Sequence, residues 1–155
     1  MEQFNKDNIA ATGMVKILHR NAAGETIREF EVPNLVVTTG KTFIASKIIA
    51  TTNSPVSMTH MAIGTSATTP DAAQTQLLGE VGRVSCSSAT STNTVTFTAT
   101  FPAGTGTSTS PGIQEAAVFN SGTAGSGTML CRTTFPSVGK SAGDTIAVTW
   151  VVTVG

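Results

Sequence analysis

The sequence has no tyrosine, one tryptophan, two cysteines and two histidines in 155 residues, and only 12% of its side chains are charged. Each scarcity excludes something. Two cysteines, Cys86 and Cys131, are too few for a secreted disulfide scaffold, and neither stands in a CxxC or similar metal-ligand spacing. Nine Lys plus Arg against nine Asp plus Glu give zero formal net charge. With no basic cluster, the phosphate-neutralising patch of a nucleic-acid binder is missing. No apolar run approaches 18 residues, so no membrane-crossing helix is expected. The N-terminal stretch MEQFNKDNIAATG has no apolar h-region and is not expected to act as a signal peptide. The expected setting is a reducing cytoplasm, or a particle assembled there.

Titratable groups are equally sparse. The aspartates are Asp7, Asp71 and Asp144, the histidines His19 and His60, and no GxSxG elbow, HExxH pair or P-loop occurs. The glycine-rich run 122–127 lacks the helix and Lys-Ser/Thr of a phosphate cradle and reads as a hairpin tip. No catalytic residue, cofactor or metal is expected. His19 and His60 read as strand-end or surface histidines, and the cysteines as small buried thiols. Glu115 falls inside a candidate strand, where it either faces solvent or pairs with an arginine such as Arg83 or Arg132. A sugar-binding sandwich is a rival reading, weakened because the chain has no Tyr and Trp150 shares the inward register of its strand. A hydrolase is a more distant one.

What the chain does have is hydroxyls. Its 28 Thr and 14 Ser exceed a quarter of all residues, and β-branched threonine suits a pleated, half-wet surface. Strict alternation in TVTFTATF puts Val95, Phe97, Ala99 and Phe101 on one face and Thr94, Thr96, Thr98 and Thr100 on the other. TIAVTWVVTV repeats the pattern with Ile146, Val148, Trp150, Val152 and Val154 inward. Its second face, with Ala147 and Val151, is apolar enough to be partly covered. Met14 to Arg20 and Thr26 to Val32 flank a hairpin loop, Asn21-Ala22-Ala23-Gly24. Shorter strands are predicted at 60–64, 83–88, 113–119 and 129–135.

One α-helix is predicted over about residues 39–50, capped by Thr38 or Thr39, with Ile44, Ala45, Ile48 and Ile49 as its apolar stripe. A second, shorter turn is predicted from Thr69-Pro70-Asp71 to about Leu77. The fold class is therefore all-β: an antiparallel β-sandwich, jelly-roll-like, with one helix. Residues 1–33 form an N-terminal arm and hairpin packed on a sandwich domain of residues 34–155. The arm carries two apolar side chains, Phe4 and Ile9, as its candidate interaction residues.

The runs NLVVTTGKTFIASKI, MTHMAIGTSATTPDAAQTQLLGEVGR, QEAAVFN and GTMLCRTTFPSVGKSAGDTIAVTWVVTV, in that order, resemble a family of small tailed-bacteriophage virion proteins. The likeness covers about residues 34–155 and rests on the order of several pieces, none of them a catalytic signature. It implies a non-enzymatic structural component of a virion, most simply a capsid decoration (cement) protein on the outer shell. A tail, fibre or baseplate component is the alternative. The implied partners are the major capsid protein or other virion proteins and further copies of the chain, as a homotrimer.

Overall fold

The computed structural model of the protein describes residues 9–155. These form ten strands and one helix: β1 (Ala11–Arg20), β2 (Thr26–Pro33), β3 (Leu35–Val36), α1 (Thr38–Ile49), β4 (His60–Gly64), β5 (Glu80–Ser85), β6 (Ser87–Ser91), β7 (Thr94–Phe101), β8 (Ser108–Phe119), β9 (Met129–Lys140) and β10 (Thr145–Val154). Two antiparallel sheets, β2-β1-β10-β7-β6 and β3-β9-β8-β4-β5, share one core, which makes an all-β sandwich. The chain changes sheet after β2, β5, β7 and β9. The hairpin that precedes residue 34 supplies two strands of the first sheet, and β1 pairs with β10 over its full length.

Alternation builds the first sheet. Val32, Val15, Trp150 and Phe97 fall in one line across β2, β1, β10 and β7, and Phe30, Ile17, Val148 and Ala99 in the next. These lines face the core, where Trp150 is fully buried. On the opposite face of β7, Thr98 and Thr100 are exposed, whereas Thr94 and Thr96 are half-buried like Val95. Every second-face residue of β10 is half-buried.

The second sheet is apolar on both faces. Met61, Ile63, Ala116, Val118 and Cys131 point into the shared core. Val37, Ala62, Leu77, Ala117, Phe119 and Met129 form a separate cluster on the far side. β8 and β9 are longer than the sequence suggested, because breaks in their pairing absorb the stretch that holds Pro111 and Gly112. The strand predicted at 83–88 is two strands in different sheets. They part at Cys86, whose amide donates to the Thr59 carbonyl at 2.8 Å. Cys86 is half-buried, Cys131 is buried, and both are free; burial pushes both thiols up from their ordinary value.

The helix is present, but its predicted cap and stripe need correcting. Val37 is the N-cap and makes no side-chain cap bond. Thr38 is already the first residue of α1, with its amide donating to the Ala72 carbonyl, and the Thr39 hydroxyl is spent on the Met129 carbonyl. The packed stripe is Gly40, Phe43, Ile44 and Lys47, at the i, i+3, i+4, i+7 spacing of one helix face. Ile48 and Ile49 are 81% and 82% exposed. Gly40 sets this rotation, because its α-carbon lies against the Leu130 carbonyl of β9. The turn predicted at 69–77 is not helical. Asp71 accepts the Ala73 amide at 2.8 Å, and this Asx turn competes with a helical start.

Alanine at an exposed helical glycine gains about 1 kcal/mol. At Gly40 an added Cβ meets a backbone carbonyl that cannot swing aside, and overpacking of this kind costs about 1–3 kcal/mol. Gly40→Ala is therefore expected to lower stability in urea unfolding, opposite in sign to its helix propensity.

Candidate functional site

Three buried or half-buried polar clusters hold most of the ionisable side chains that approach one another. In the first, Glu115 of β8 and Arg132 of β9 stand two register positions apart, diagonal neighbours on the outer face of the second sheet, both without exposed surface. Arg132 donates Nε and Nη2 to Glu115 Oε2 at 3.0 and 2.8 Å. The Leu78 amide also reaches Oε2, at 3.2 Å, while Oε1 accepts the amides of Gly79 at 2.7 Å and Ser66 at 3.4 Å. Arg132 Nη1 then donates to the Thr68 carbonyl and to Gln74 Oε1. The segment between β4 and β5 is thereby pinned across the second sheet. Of the alternatives open for Glu115, the structure selects pairing with Arg132. Both oxygens of this carboxylate are thus engaged by donors, which fixes the position of the segment that supplies them.

Arg83 pairs instead with Glu80, through Nε and Nη2 at 2.8 Å each. Its guanidinium lies 3.9 Å from the centroid of Phe119, a cation–π contact that shields the outer cluster. It also donates to the carbonyls of Ser121 and Ser126, which holds the glycine-rich tip of the β8–β9 hairpin.

The third cluster closes the β9–β10 turn. His19, near the end of β1, is buried, with Nε2 2.9 Å from Asp144 Oδ2. The same oxygen accepts the Ser141 amide at 2.9 Å. Lys140 donates to the carbonyls of Asp144 and Pro102 at 2.8 and 3.0 Å. The His19 hydrogen bond, then the Ser141 amide, hold the Asp144 carboxyl below the usual carboxylate range, and burial lowers the Lys140 ammonium from its ordinary value. His60 lies elsewhere, with Nδ1 2.8 Å from the Thr59 hydroxyl. Among the described residues no group of three His, Cys, Asp or Glu is placed to hold a metal ion, and no helix is long and apolar enough to cross a membrane.

The buried ionisable groups are thus held in structural contacts, while one groove at the surface is mostly apolar. At the end of the sandwich where β1 begins and β10 stops, the main chain of Ala10 pairs with Gly155 in both directions. Beside it α1 leaves a groove of about 420 Å³ bounded by Ile9, Lys41, Ile44, Ala45, Ile48 and Val154. Ile9 is 77% exposed. Ile48 borders the same groove and is exposed, as is Ile49 next to it in α1, against a general tendency to keep such groups covered. Of the two predicted arm residues, Ile9 borders this groove; Phe4 lies outside the described residues. Ile48 and Ile49 were assigned to the apolar stripe of α1 by sequence, and only the close approach at Gly40 shows why they face outward.

Removing one partner of a buried ion pair costs about 3–5 kcal/mol, whereas an apolar replacement of both is often close to neutral. Arg132→Met alone should therefore lower the urea midpoint sharply, and adding Glu115→Leu should recover only part of the loss, because the amides of Ser66, Leu78 and Gly79 then lose their acceptor. For Asp144 the folded-state pKa is depressed, so its contribution is present above the unfolded value near 3.8 and is lost as pH falls below it. Melting temperatures measured from about pH 6 down to 2 should fall less steeply for Asp144→Asn than for the parent. Comparison with protein-family models, with curated proteins and with solved structures finds no match to this chain.

Proposed function

We propose that this protein is a non-enzymatic structural component of a bacteriophage virion, a capsid decoration protein that stabilises the outer shell as a homotrimer. One observation carries the reading: a sandwich coated in hydroxyls leaves Ile48 and Ile49 of α1 exposed, with the exposed Ile9 across the groove beside them. A surface of this kind suits repeated docking on a shell or on further copies. The ordered runs that resemble phage virion proteins include α1, so the resemblance and the exposed patch point to the same element. Zero net charge helps many copies crowd without mutual repulsion. The absence of tyrosine and the threonine faces limit unwanted association of the free subunit. Symmetric assembly raises the effective concentration of each further contact, so a modest patch per subunit is enough.

Each isoleucine side chain buried on docking contributes about 1.5–3 kcal/mol. Replacing Ile48 and Ile49 by Ser should leave the melting temperature nearly unchanged, because both already face solvent. It should weaken attachment to particles that lack the protein by roughly a hundredfold or more. Quantitative gel densitometry of purified particles gives the copy number. A number that tracks the shell protein fits decoration, whereas a handful of copies per particle moves the protein to the tail, fibre or baseplate. Full occupancy by the double variant would remove α1 as the docking element.

A further inference from the structure

The two sheets have four edge strands: β2 and β6 in the first, β3 and β5 in the second. Unpaired edges template further strand pairing, and folded proteins blunt them with charge, proline, irregular register or shortness. β2 carries Arg28, Glu29, Glu31 and Pro33 and a break in register near His19. β5 carries Glu80 and Arg83 and a break opposite Ile63 and Gly64. β3 has only two residues. Among the described residues β6 has no such protection. Its sequence, Ser87-Ser88-Ala89-Thr90-Ser91, has no charge and no proline, keeps an unbroken register with β7, and is exposed at every residue.

The space beneath that same edge is apolar. A cleft of about 370 Å³ opens between β6 and α1, with Met58, Phe97, Leu130 and Val152 in its lining and Ser88 and Thr90 at its rim. This volume and mostly apolar lining are typical of ligand sites. Ser88 and Thr90 stand opposite Phe97 and Val95, so they continue the inward lines that run through Trp150 and Val152. A strand laid outside β6 would extend those lines by one position each, about 4.8 Å further out. Two of its side chains, two residues apart, would then enter the cleft. Lys47 also lines it, with Nζ donating to the Pro55 carbonyl and, at 3.5 Å, to Asn53 Oδ1. Among the described residues it has no carboxylate partner.

We propose that β6 is a receptor edge. It accepts an extended segment of another protein as a sixth strand of the first sheet, with two alternate apolar side chains filling the cleft and an adjoining carboxylate meeting Lys47. Strand addition of this type draws affinity from main-chain bonds and specificity from pockets for alternate side chains. The alternatives satisfy only half of the site. A second copy of β6 would bring serine and threonine to an apolar cleft, and an acyl chain would fill the cleft but leave the β6 main chain unpaired. The assignment stands on the edge and the cleft, and does not depend on the virion reading.

The test titrates the full chain into a fluorescein-tagged peptide, Val-Thr-Val-Thr-Val-Asp, and follows anisotropy. A scrambled peptide, Val-Val-Val-Thr-Thr-Asp, and dodecanoate as competitor complete the set. Saturable binding is expected, at least tenfold tighter for the alternating peptide. Ser88→Lys places a charge at the rim and should reduce it more than tenfold with the melting temperature kept. Lys47→Ala should reduce it several-fold, and restoring the charge with Lys47→Arg should recover it. Equal binding of both peptides, no effect of Ser88→Lys, or no saturation up to roughly 1 mM would overturn the assignment. Binding of dodecanoate without the peptide would give the cleft to an acyl chain instead. A parent dimer that Ser88→Lys splits, with no peptide bound, would give the edge to a second copy.

Discussion

Two opposite charges with no access to water govern how the second sheet is built. A buried carboxylate and guanidinium are costly to desolvate, and the cost is met only where the remaining donors and acceptors are also satisfied. Glu115 and Arg132 meet that demand by drawing in the main chain of residues 66, 68, 78 and 79 and the side chain of Gln74. The segment joining β4 and β5 has no regular structure of its own and would otherwise have little reason to lie flat. Held by the pair, it covers Ala62, Ala117 and Phe119 and adds Leu77 to them. The Ala72 carbonyl on the same segment then receives the first amide of α1. One ion pair thus links the outer cluster, the covering segment and the helix start.

The sandwich is consequently asymmetric. Its second sheet is sealed on both sides, while the first leaves one side to solvent, clothed in threonine and serine. Charge follows the same division. Lys16 and Glu29 pair on the wet face of the first sheet with both side chains about half exposed, and contacts of that kind add little. The charges that matter to the fold are buried at Glu115, Arg132 and the Asp144 turn. A chain with so few charged side chains spends a large share of them inside.

What could be read from the sequence was what repeats locally. β7 and β10 alternate with period two over eight or more residues, and their inward faces are those expected. The β1–β2 hairpin announces itself through the loop Asn21-Ala22-Ala23-Gly24 and the β8–β9 tip through its run of glycines. The extensions of β8 and β9 were hidden by Pro111 and Gly112, which look like an end of strand but fall where the ladder is irregular. The divided strand at Cys86 reads as one apolar-polar run, and nothing local marks the change of sheet. The rotation of α1 depends on Gly40 meeting a carbonyl 90 positions away, and stripe counting cannot see that contact. The same holds at the sites. Glu115 suggested two arginine partners without choosing between them, and His19 gave no hint of Asp144, 125 residues distant.

The pairing of β1 with β10 carries a kinetic consequence. β10 lies between β1 and β7, so the first sheet has no continuous middle until residues 125 positions apart meet. Closing a flexible loop of that length costs about 4 kcal/mol in chain entropy beyond a constant. The β1–β2 and β6–β7 hairpins close over a few residues and form readily, but each then waits as a separate ribbon with one edge open. High contact order of this kind slows folding. The second sheet is favoured by its closer β4–β5 and β8–β9 pairings and gives β10 a surface to settle on. The first sheet is therefore completed late, and its unguarded β6 edge is exposed throughout the wait.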